Sequence, residues 1–158
     1  MATDFPMVNG KAYDFSAIES SAPLVGIFRE VSEINYSHNV EPGELRAGGQ
    51  PWVTATTRGE YSAEGSMTIS KQGHTWLVQK LEELSEGRGY MDYEFPITVI
   101  YNRAGMPTIK DSLHVCRLIG GEDSASQGGD ALMVACTLHT TAIYRNGKKP
   151  FGDMPWAA

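Results

Sequence analysis

A mainly β domain with one flanking helix is the fold that this 158-residue sequence predicts, and two observations lead to it. The 17 glycines and 8 prolines stand between short apolar runs, a spacing that is typical of strands and turns. Apolar residues recur with a helical period in a single segment, whereas several other segments alternate between apolar and polar residues. The length is that of one domain, residues 1–158.

Charge and the first residues narrow the functional class. The chain has 19 acidic and 13 basic residues, and its formal net charge is -6 at pH 7. Because proteins that hold nucleic-acid phosphates do so with Lys and Arg, this balance argues against a nucleic-acid-binding protein. No apolar run approaches the ~20 residues of a membrane-spanning helix, and the start lacks the basic and apolar regions of a secretory signal. We therefore expect a soluble domain made in the cytoplasm.

The first clear strands are predicted between residues 27 and 70. Residues 27–36 are expected to be extended, with both faces partly polar. Residues 61–70 alternate strictly, which indicates a strand with one packed face and one wet face. The packed face would consist of Tyr61, Ala63, Gly65, Met67 and Ile69, and the wet face of Ser62, Glu64, Ser66, Thr68 and Ser70.

Residues 74–86 are the segment with the helical period. Leu77, Leu81 and Leu84 recur at i, i+4 and i+7 and form one apolar stripe. Gly87 follows at a position where the end of a helix favours a positive φ. The pattern predicts an amphipathic helix that covers a sheet.

Three later segments predict strands with fewer polar positions, at residues 95–102, 113–120 and 131–145. In the last of them, both alternating faces carry apolar residues. A strand that is apolar on both faces has to be covered on both. In a domain of this size, a second subunit can supply the second cover.

Two long connections lie between these strands. Residues 37–52 combine prolines and glycines with charges of both signs, and residues 122–130 are acidic and rich in serine. Loops of this length inside a compact domain are usually functional or mobile. Both are therefore candidate functional segments.

The search for catalytic or cofactor chemistry yields one group of candidate ligands. The sequence has no phosphate-binding Gly-Lys-Ser/Thr loop, no His-Glu-x-x-His pair and no nucleophile elbow. His114, Cys116, Cys136 and His139 are residue types that zinc favours, and the sequence leaves open whether they approach one another. On regular strands His114 and Cys116 share a face, whereas Cys136 and His139 point oppositely, so we expect two buried cysteines instead. We predict no catalytic residue, no cofactor and no metal.

The order of segments along the chain resembles a known family. Residues 22–26 (Ala-Pro-Leu-Val-Gly) lead to a strand at residues 30–36 (Glu-Val-Ser-Glu-Ile-Asn-Tyr), and a long Gly/Pro loop follows. Next come residues 59–69 (Gly-Glu-Tyr-Ser-Ala-Glu-Gly-Ser-Met-Thr-Ile), one helix and three more strands. In this order, in length and in acidity, nearly the whole chain is similar to the tail tube proteins of tailed bacteriophages.

The resemblance implies a fold, an assembly and a set of partners. The fold would be a β-sandwich or half-barrel with a helix at its side. Six copies would form a ring whose inner strands join into one barrel, and stacked rings would form the hollow tube of a virion tail, assembled in the host cytoplasm. DNA would pass through the lumen without specific binding. The further partners would be the tape-measure, baseplate and tail-terminator proteins, and a sheath if the tail contracts.

Two sets of residues receive hypothetical roles within this resemblance. The wet face of residues 61–70 and its neighbouring strand would line the channel, because hydroxyls and carboxylates offer DNA no cationic anchor; the alternative is a face that meets outside solvent. The loop at residues 37–52 would stack the rings through ion pairs and close backbone approach, and its alternative is an exposed hairpin. The lumen-lining set is Glu30, Ser32, Glu33, Asn35, Ser62, Glu64, Ser66, Thr68 and Ser70, and the ring-stacking set is Glu41, Glu44, Arg46, Gly48 and Gly49.

The two ends of the chain have two possible roles. The N-terminal arm, residues 1–22, and the C-terminal tail, residues 146–158, carry aromatic residues that are costly to leave in water, Phe151 and Trp156 among them. They could pack on adjacent subunits or fold back on their own domain.

Other functions compete with the phage tail tube. The nearest is the tube protein of a type VI secretion system or a related contractile injection device, which has the same fold and a different cargo. A small-ligand-binding β-barrel is the rival of another class, and it predicts a stable monomer with an internal cavity. An enzyme that uses the Cys/His group is the most distant.

Overall fold

Residues 12–154, the part of the chain that the computed structural model describes, contain ten strands and one α-helix; eight of the strands build two packed β layers, and the other two form a separate hairpin. The helix α1 spans Lys71–Ser85, and a short 3-10 turn spans Phe15–Ala17. The strands are β1 (Ile18–Ala22), β2 (Gly26–Ile27), β3 (Val31–Glu41), β4 (Glu44–Leu45), β5 (Ala55–Thr56), β6 (Glu60–Ser70), β7 (Phe95–Tyr101), β8 (Ile109–Ser124), β9 (Met133–His139) and β10 (Ala142–Tyr144).

The long strand β8 belongs to both layers. Its first half pairs with β7 and β10, and its second half, residues 117–124, pairs with β9. Val115 has a positive φ of 54° and lies inside a register shift between Leu113 and Cys116, and a second shift lies between Leu118 and Gly120. Because this irregularity turns the strand, the first layer has the order β2-β1-β7-β8-β10 and the second has the order β8-β9-β6-β3. All neighbouring strands are antiparallel.

The two layers and the helix enclose one apolar core. The alternating apolar residues predicted on β6 point into it, and Met67 and Ile69 are buried. A methyl group added to Gly65 would lie 3.4 Å from Leu113 of the other layer, so the layers are in close contact. The predicted β-sandwich or half-barrel with a flanking helix is therefore confirmed. The remaining buried core residues of the strands and helix include Leu77, Leu81, Phe95, Ile97, Val99, Cys116, Leu118, Val134, Cys136, Leu138 and Ile143.

The predicted helix is confirmed, with an earlier start. It begins at Lys71 because the hydroxyl of Ser70 accepts a hydrogen bond from the Gly73 amide at 3.1 Å and caps the first turn. After Ser85, Glu86 takes the left-handed conformation with φ 55° and ends the helix. Leu77 and Leu81 are fully buried against the sheet. Among residues 12–154, no helix combines the length and apolar character that crossing a membrane requires.

The segment predicted as one strand at residues 27–36 is two strands. Strand β2 ends at Ile27, and Glu30 has a left-handed φ of 63°, which turns the chain before β3 begins. Strand β3 then continues to Glu41, because it pairs with β6 along its whole length up to Glu41 opposite Glu60. Residues 37–41, the first five residues of the loop predicted at residues 37–52, belong to β3, so this part of the prediction is wrong. The connection between β3 and β6 spans residues 42–59.

The segment predicted as one strand at residues 131–145 also divides. Strand β9 lies in the second layer and β10 in the first, and Thr140 and Thr141 connect them. The Thr140 hydroxyl and the Thr141 amide both donate to the carbonyl of His114, at 3.0 and 3.1 Å, and fix this crossing. The acidic loop predicted from residue 122 begins after Ser124, because β8 extends that far.

The ends of the chain fold back on their own domain as far as they are described. Residues 18–22, predicted as part of an arm, form β1 and pair with β7. In the tail, Asp153 forms a bidentate ion pair with Arg58 at 2.5 and 3.1 Å, and the Arg58 guanidinium lies 4.0 Å from the centre of the Phe151 ring. The rest of the arm and tail, residues 1–11 and 155–158 with Trp156, lies outside the described residues.

Candidate functional site

The outer side of the second layer is a continuous polar surface, which we call the polar face. Its side chains alternate with the core residues of β3, β6, β9 and β8, and the strand pairing places them in rows. Asn35, Ser66, Thr137 and Gly120, for example, are neighbours across the four strands. The polar face comprises Glu33, Asn35, Ser37, Asn39 and Glu41 of β3, Glu60, Ser62, Glu64, Ser66 and Thr68 of β6, Ala135, Thr137 and His139 of β9, and Arg117, Gly120 and Glu122 of β8.

The structure brings most of the predicted lumen-lining residues together on this face. Three of the nine are elsewhere. Ser32 is the extra residue at the bulge between Val31 and Glu33. Ser70 is 7% exposed and caps α1, and its hydroxyl also donates to the carboxylate of Glu30 in the turn before β3. The predicted residues that share the polar face are Glu33, Asn35, Ser62, Glu64, Ser66 and Thr68.

Sequence reasoning missed the contributions of β9 and β8 to the polar face. Residues 133–139 alternate in the sequence, which places Ala135, Thr137 and His139 on one side of a strand. What the pattern lacked was the partner, since Glu64 pairs with His139 across 75 positions of sequence. The signal in the sequence is Thr137 and His139 on the side opposite Cys136 and Leu138, and the apolar Met133 and Ala135 on the same side obscure it.

The polar face carries more acidic than basic charge. Glu33, Glu41, Glu60, Glu64 and Glu122 are its acids, and Arg117 is its one Lys or Arg among residues 12–154. The hydroxyl of Ser37 donates to Glu64 at 3.4 Å. A groove of about 450 Å³ runs along the face and is lined by Asn35, Ser66, Thr137 and their neighbours. Hydroxyls, amides and carboxylates of this kind form hydrogen bonds with water and offer few cations to a phosphate.

A second candidate surface lies at the far end of β3 and β6. Residues 42–59, which we call the tip, connect these strands and contain the small hairpin of β4 and β5. Gly59 has a φ of 82°, and a side chain there would collide with the carbonyl of Glu41, so only glycine fits. Leu45 and Trp52 are 60% and 59% exposed at the tip. Large apolar side chains left open in this way mark a contact surface when they cluster.

The predicted ring-stacking residues lie on or next to the tip. Glu41 is the last residue of β3, and the others fall inside residues 42–59. Arg46 donates to the carbonyl of Pro51 at 2.7 Å and pairs with Glu44 at 3.2 Å. Because these two charges pair within one chain, the exposed apolar side chains are the more available contact. Gly48 and Gly49 have open space around them.

A buried carboxylate joins the two layers behind the polar face. Asp111 of β8 is 5% exposed and accepts hydrogen bonds from the Tyr36 hydroxyl at 2.5 Å and from the Asn146 amide at 3.0 Å. Tyr36 also contacts the hydroxyl of Tyr101, and Arg145 lies 3.7 Å from Asp111. Burial and the hydrogen bonds to Asp111 and Tyr101 raise the pKa of Tyr36. These contacts hold β3, β7 and β8 in one fixed arrangement.

The cysteines and histidines do not form a metal centre in the described part of the chain. Among residues 12–154, no three His, Cys, Asp or Glu side chains are placed to share one ion. Cys116 and Cys136 lie in the core, as predicted, and burial raises the pKa of each thiol to about 11. The expectation that His114 and Cys116 share a face is wrong, because the irregularity at Val115 turns Cys116 into the core beside Leu113. Burial lowers the pKa of His114, whose ring lies 4.2 Å from that of Tyr144.

Solved structures match this fold, whereas no protein-family model and no curated protein matches the sequence. A chain of the PVC sheath–tube complex of an extracellular contractile injection system aligns with a TM-score of 0.65 at 10% identity, over 87% of this chain and 93% of that one. The SPP1 tail tube aligns with a TM-score of 0.61 at 10% identity, over 87% and 81%. A type six secretion system protein aligns with a TM-score of 0.55 at 10% identity, over 89% and 91%. The chain therefore has the fold of a phage tail tube and of proteins from contractile injection and type VI secretion systems.

Proposed function

We propose that the chain is the structural subunit of a phage tail tube, which assembles into hexameric rings that stack into a hollow conduit for the genome. The observation that carries this proposal is the second layer itself. It is a four-stranded sheet with a polar outer face. Within residues 12–154, neither of its two outermost strands pairs with a further strand along its outer edge. A shared fold supports the proposal, and the geometry of these edges gives it a mechanism.

The two open edges are complementary. Strand β3 is the last strand on one side, and residues 117–124 of β8 are the last on the other. Direction alternates from β3 through β6 and β9 to β8, so residues 117–124 of one copy would lie antiparallel to β3 of the next. Repeating this contact around a ring closes a barrel and leaves no edge exposed.

In such a ring the polar face lines the lumen. The apolar core and α1 lie on the other side of the second layer and would face outward. DNA would then pass along hydroxyls, amides and an excess of carboxylates, which repel phosphate, and a narrow lumen focuses that field. Each copy contributes a formal charge of -6. The acidity that argues against DNA binding thus suits DNA transport.

The partners follow from this assembly. Similar chains come from a baseplate, a sheath–tube complex and a sheath/tube terminator. We infer corresponding partners for this chain: baseplate and terminator proteins at the ends of the tube, a tape-measure protein within it and a sheath if the tail contracts. The tube would reside in the virion tail after assembly in the host cytoplasm, and the role would be structural, without catalysis or a cofactor.

Electron microscopy of the purified full-length chain tests the proposal. We expect rings with six-fold symmetry, stacked tubes or both in negative stain, because the open edges and the tip are available in every copy. A protein that stays a monodisperse monomer at high concentration contradicts the proposal. That result would favour the small-ligand-binding β-barrel.

A tube of a contractile injection or type VI secretion device is the second candidate. Its support is the shared fold with a chain of the PVC complex and with a type six secretion system protein. The two candidates predict the same rings and differ in cargo. Isolating particles that contain the chain and identifying either packaged DNA or protein cargo separates them.

The lumen assignment predicts the effect of reversing one charge on the polar face. Glu64→Lys is expected to leave tubes intact, since Glu64 is exposed, and to slow DNA ejection by about tenfold through attraction of phosphate. Ejection from particles carrying the variant can be followed with a DNA-binding dye. The matched control is Glu82→Lys, which reverses an exposed acid on α1 away from the polar face. Equal ejection rates for the two variants would show that Glu64 does not face the lumen.

A further inference from the structure

We propose that Arg117 of one copy pairs with Glu41 of the neighbouring copy, and that this pair marks the register in which subunits join. The proposal rests on the proposed function, in which residues 117–124 lie beside β3 of the next copy. Both side chains belong to the polar face, and each stands on an edge strand. Within residues 12–154 of one chain, Arg117 has no carboxylate in an ion pair and Glu41 has no cation.

The strand pairing divides the polar face into rows that cross the sheet. Ser37 pairs with Glu64, Glu64 with His139 and His139 with Arg117, and these four residues form one row. Four positions further along β3, β6 and β9, Glu33, Thr68, Ala135 and Glu122 form another row. The register between two copies is therefore decided by which row of one copy meets which row of the next.

A closed barrel requires these rows to be displaced at each junction. Strand tilts of about 35–45° are typical, and an eight-stranded barrel whose shear equals its strand number has a tilt of about 36°. The shear is the number of residues by which the strand register is displaced in one turn around the barrel, and the tilt depends on the ratio of the shear to the number of strands. A tilt of about 36° corresponds to a displacement of about one residue per strand. A subunit that contributes four strands therefore has to displace the register by about four residues. This condition holds for any number of copies. Arg117 shares a row with Ser37 of its own copy. A displacement of four residues along β3, in one direction or the other, therefore places Arg117 opposite Glu41 or opposite Glu33 of the neighbouring copy.

Strand length selects Glu41. With Arg117 opposite Glu41, residues 117–124 lie alongside β3 over their whole length. With Arg117 opposite Glu33, most of them would pass the start of β3 at Val31 and meet the turn at Glu30, where φ is 63°. A strand edge without a partner leaves backbone donors and acceptors unpaired, so the longer overlap is the favoured one.

Charge favours a displaced register over one without the four-residue step. In the Glu41 register, Glu122 lies opposite Ser37 of the neighbour. A junction without the four-residue step would place Glu122 opposite Glu33, and like charges directly across a strand pair are destabilising. The displaced register replaces that repulsion with one pair of opposite charges at every junction.

Charge exchange between the two positions tests the pair. Arg117→Glu and Glu41→Arg are each expected to lower the yield of rings by about tenfold, because each places like charges across the junction. The double variant R117E/E41R should restore the yield. The matched control R117E/E33R should not, although it carries the same charges. Thermal unfolding of each variant monomer shows whether the subunit still folds.

Disulfide formation measures the register directly and does not depend on charge. Directly opposite residues of antiparallel strands lie within the Cα distance that a disulfide spans. We expect oxidised R117C/E41C rings to give a ladder of linked copies on a non-reducing gel. The controls R117C/S37C and R117C/E33C should stay unlinked, and the native Cys116 and Cys136 are buried.

The outcomes separate this inference from the function on which it rests. Rings that link through position 37 or 33, or that form without linking through position 41, overturn the register and leave the tube assignment standing. A wild-type chain that forms no rings overturns both.

Discussion

Replacing Asp111 with alanine is expected to lower the free energy of unfolding by about 3 kcal/mol, because it removes a buried, hydrogen-bonded carboxylate. The Tyr36 hydroxyl and the Asn146 amide donate to Asp111 at 2.5 and 3.0 Å, and both would lose their acceptor. Arg145, 3.7 Å away, would lose its counter-charge. Urea unfolding followed by tryptophan fluorescence measures the change.

Two further variants identify the cause of that loss. Asp111→Asn keeps the size of the side chain and one acceptor oxygen but not the charge, so its cost should be smaller, about 1–2 kcal/mol. Asp123→Ala is the control, because Asp123 pairs with Lys71 at 3.0 Å on the surface and its side chain is 61% exposed. Its loss is expected to stay below about 1 kcal/mol. Equal losses for Asp111→Ala and Asp123→Ala would contradict a structural role for the buried network.

The direction of the side chains on β6 could be predicted from the sequence because it depends only on parity. Every second residue of a strand points to the same side, so Ser62, Glu64, Ser66 and Thr68 were assignable without knowing any partner strand. The prediction failed where a strand ends. Ser70 continues the alternation, but its hydroxyl caps α1. A residue at the junction of a strand and a helix belongs to both elements. The alternation along the strand alone therefore does not predict where its side chain lies.

Strand pairing could not be predicted in the same way, because it joins residues that are far apart in sequence. The division of residues 131–145 into β9 and β10 depends on hydrogen bonds from Thr140 and Thr141 to His114. The turn of β8 at Val115 depends on a positive φ in a β-branched residue, which local preference disfavours. Contacts with the surrounding layers override that preference.

The buried network at Asp111 was invisible for a related reason. An acidic residue in an alternating segment looks like a residue on the wet side of a strand. Its partners Tyr36 and Asn146, and Tyr101, which contacts Tyr36, stand on three other segments and come together with Asp111 only after the layers pack. By contrast, the burial of the two cysteines could be predicted from their apolar neighbours.

Removing the tip is expected to abolish long tubes while leaving folded subunits and rings. Residues 44–56 can be replaced by Asn-Gly, because Gly43 and Thr57 are already joined by a hydrogen bond from the Thr57 amide to the Gly43 carbonyl at 2.8 Å. The deletion removes Leu45 and Trp52, both more than half exposed. The polar face and both edges of the second layer remain intact. Negative-stain microscopy should then show single rings in place of tubes.

A double substitution at the tip tests the same contact without shortening the chain. Leu45→Ser with Trp52→Ser is expected to weaken stacking by about 2 kcal/mol or more for each subunit, since buried tryptophans are frequent hot spots of interfaces. Every copy in a ring loses the same stacking free energy. The length of the tubes should therefore fall sharply, although the loss for each subunit is small. Met91→Ser is the control, because Met91 is 44% exposed and lies outside the tip. Tubes of normal length from the tip variant would show that rings stack through another surface. Short tubes from the control as well would show that the effect is not specific to the tip.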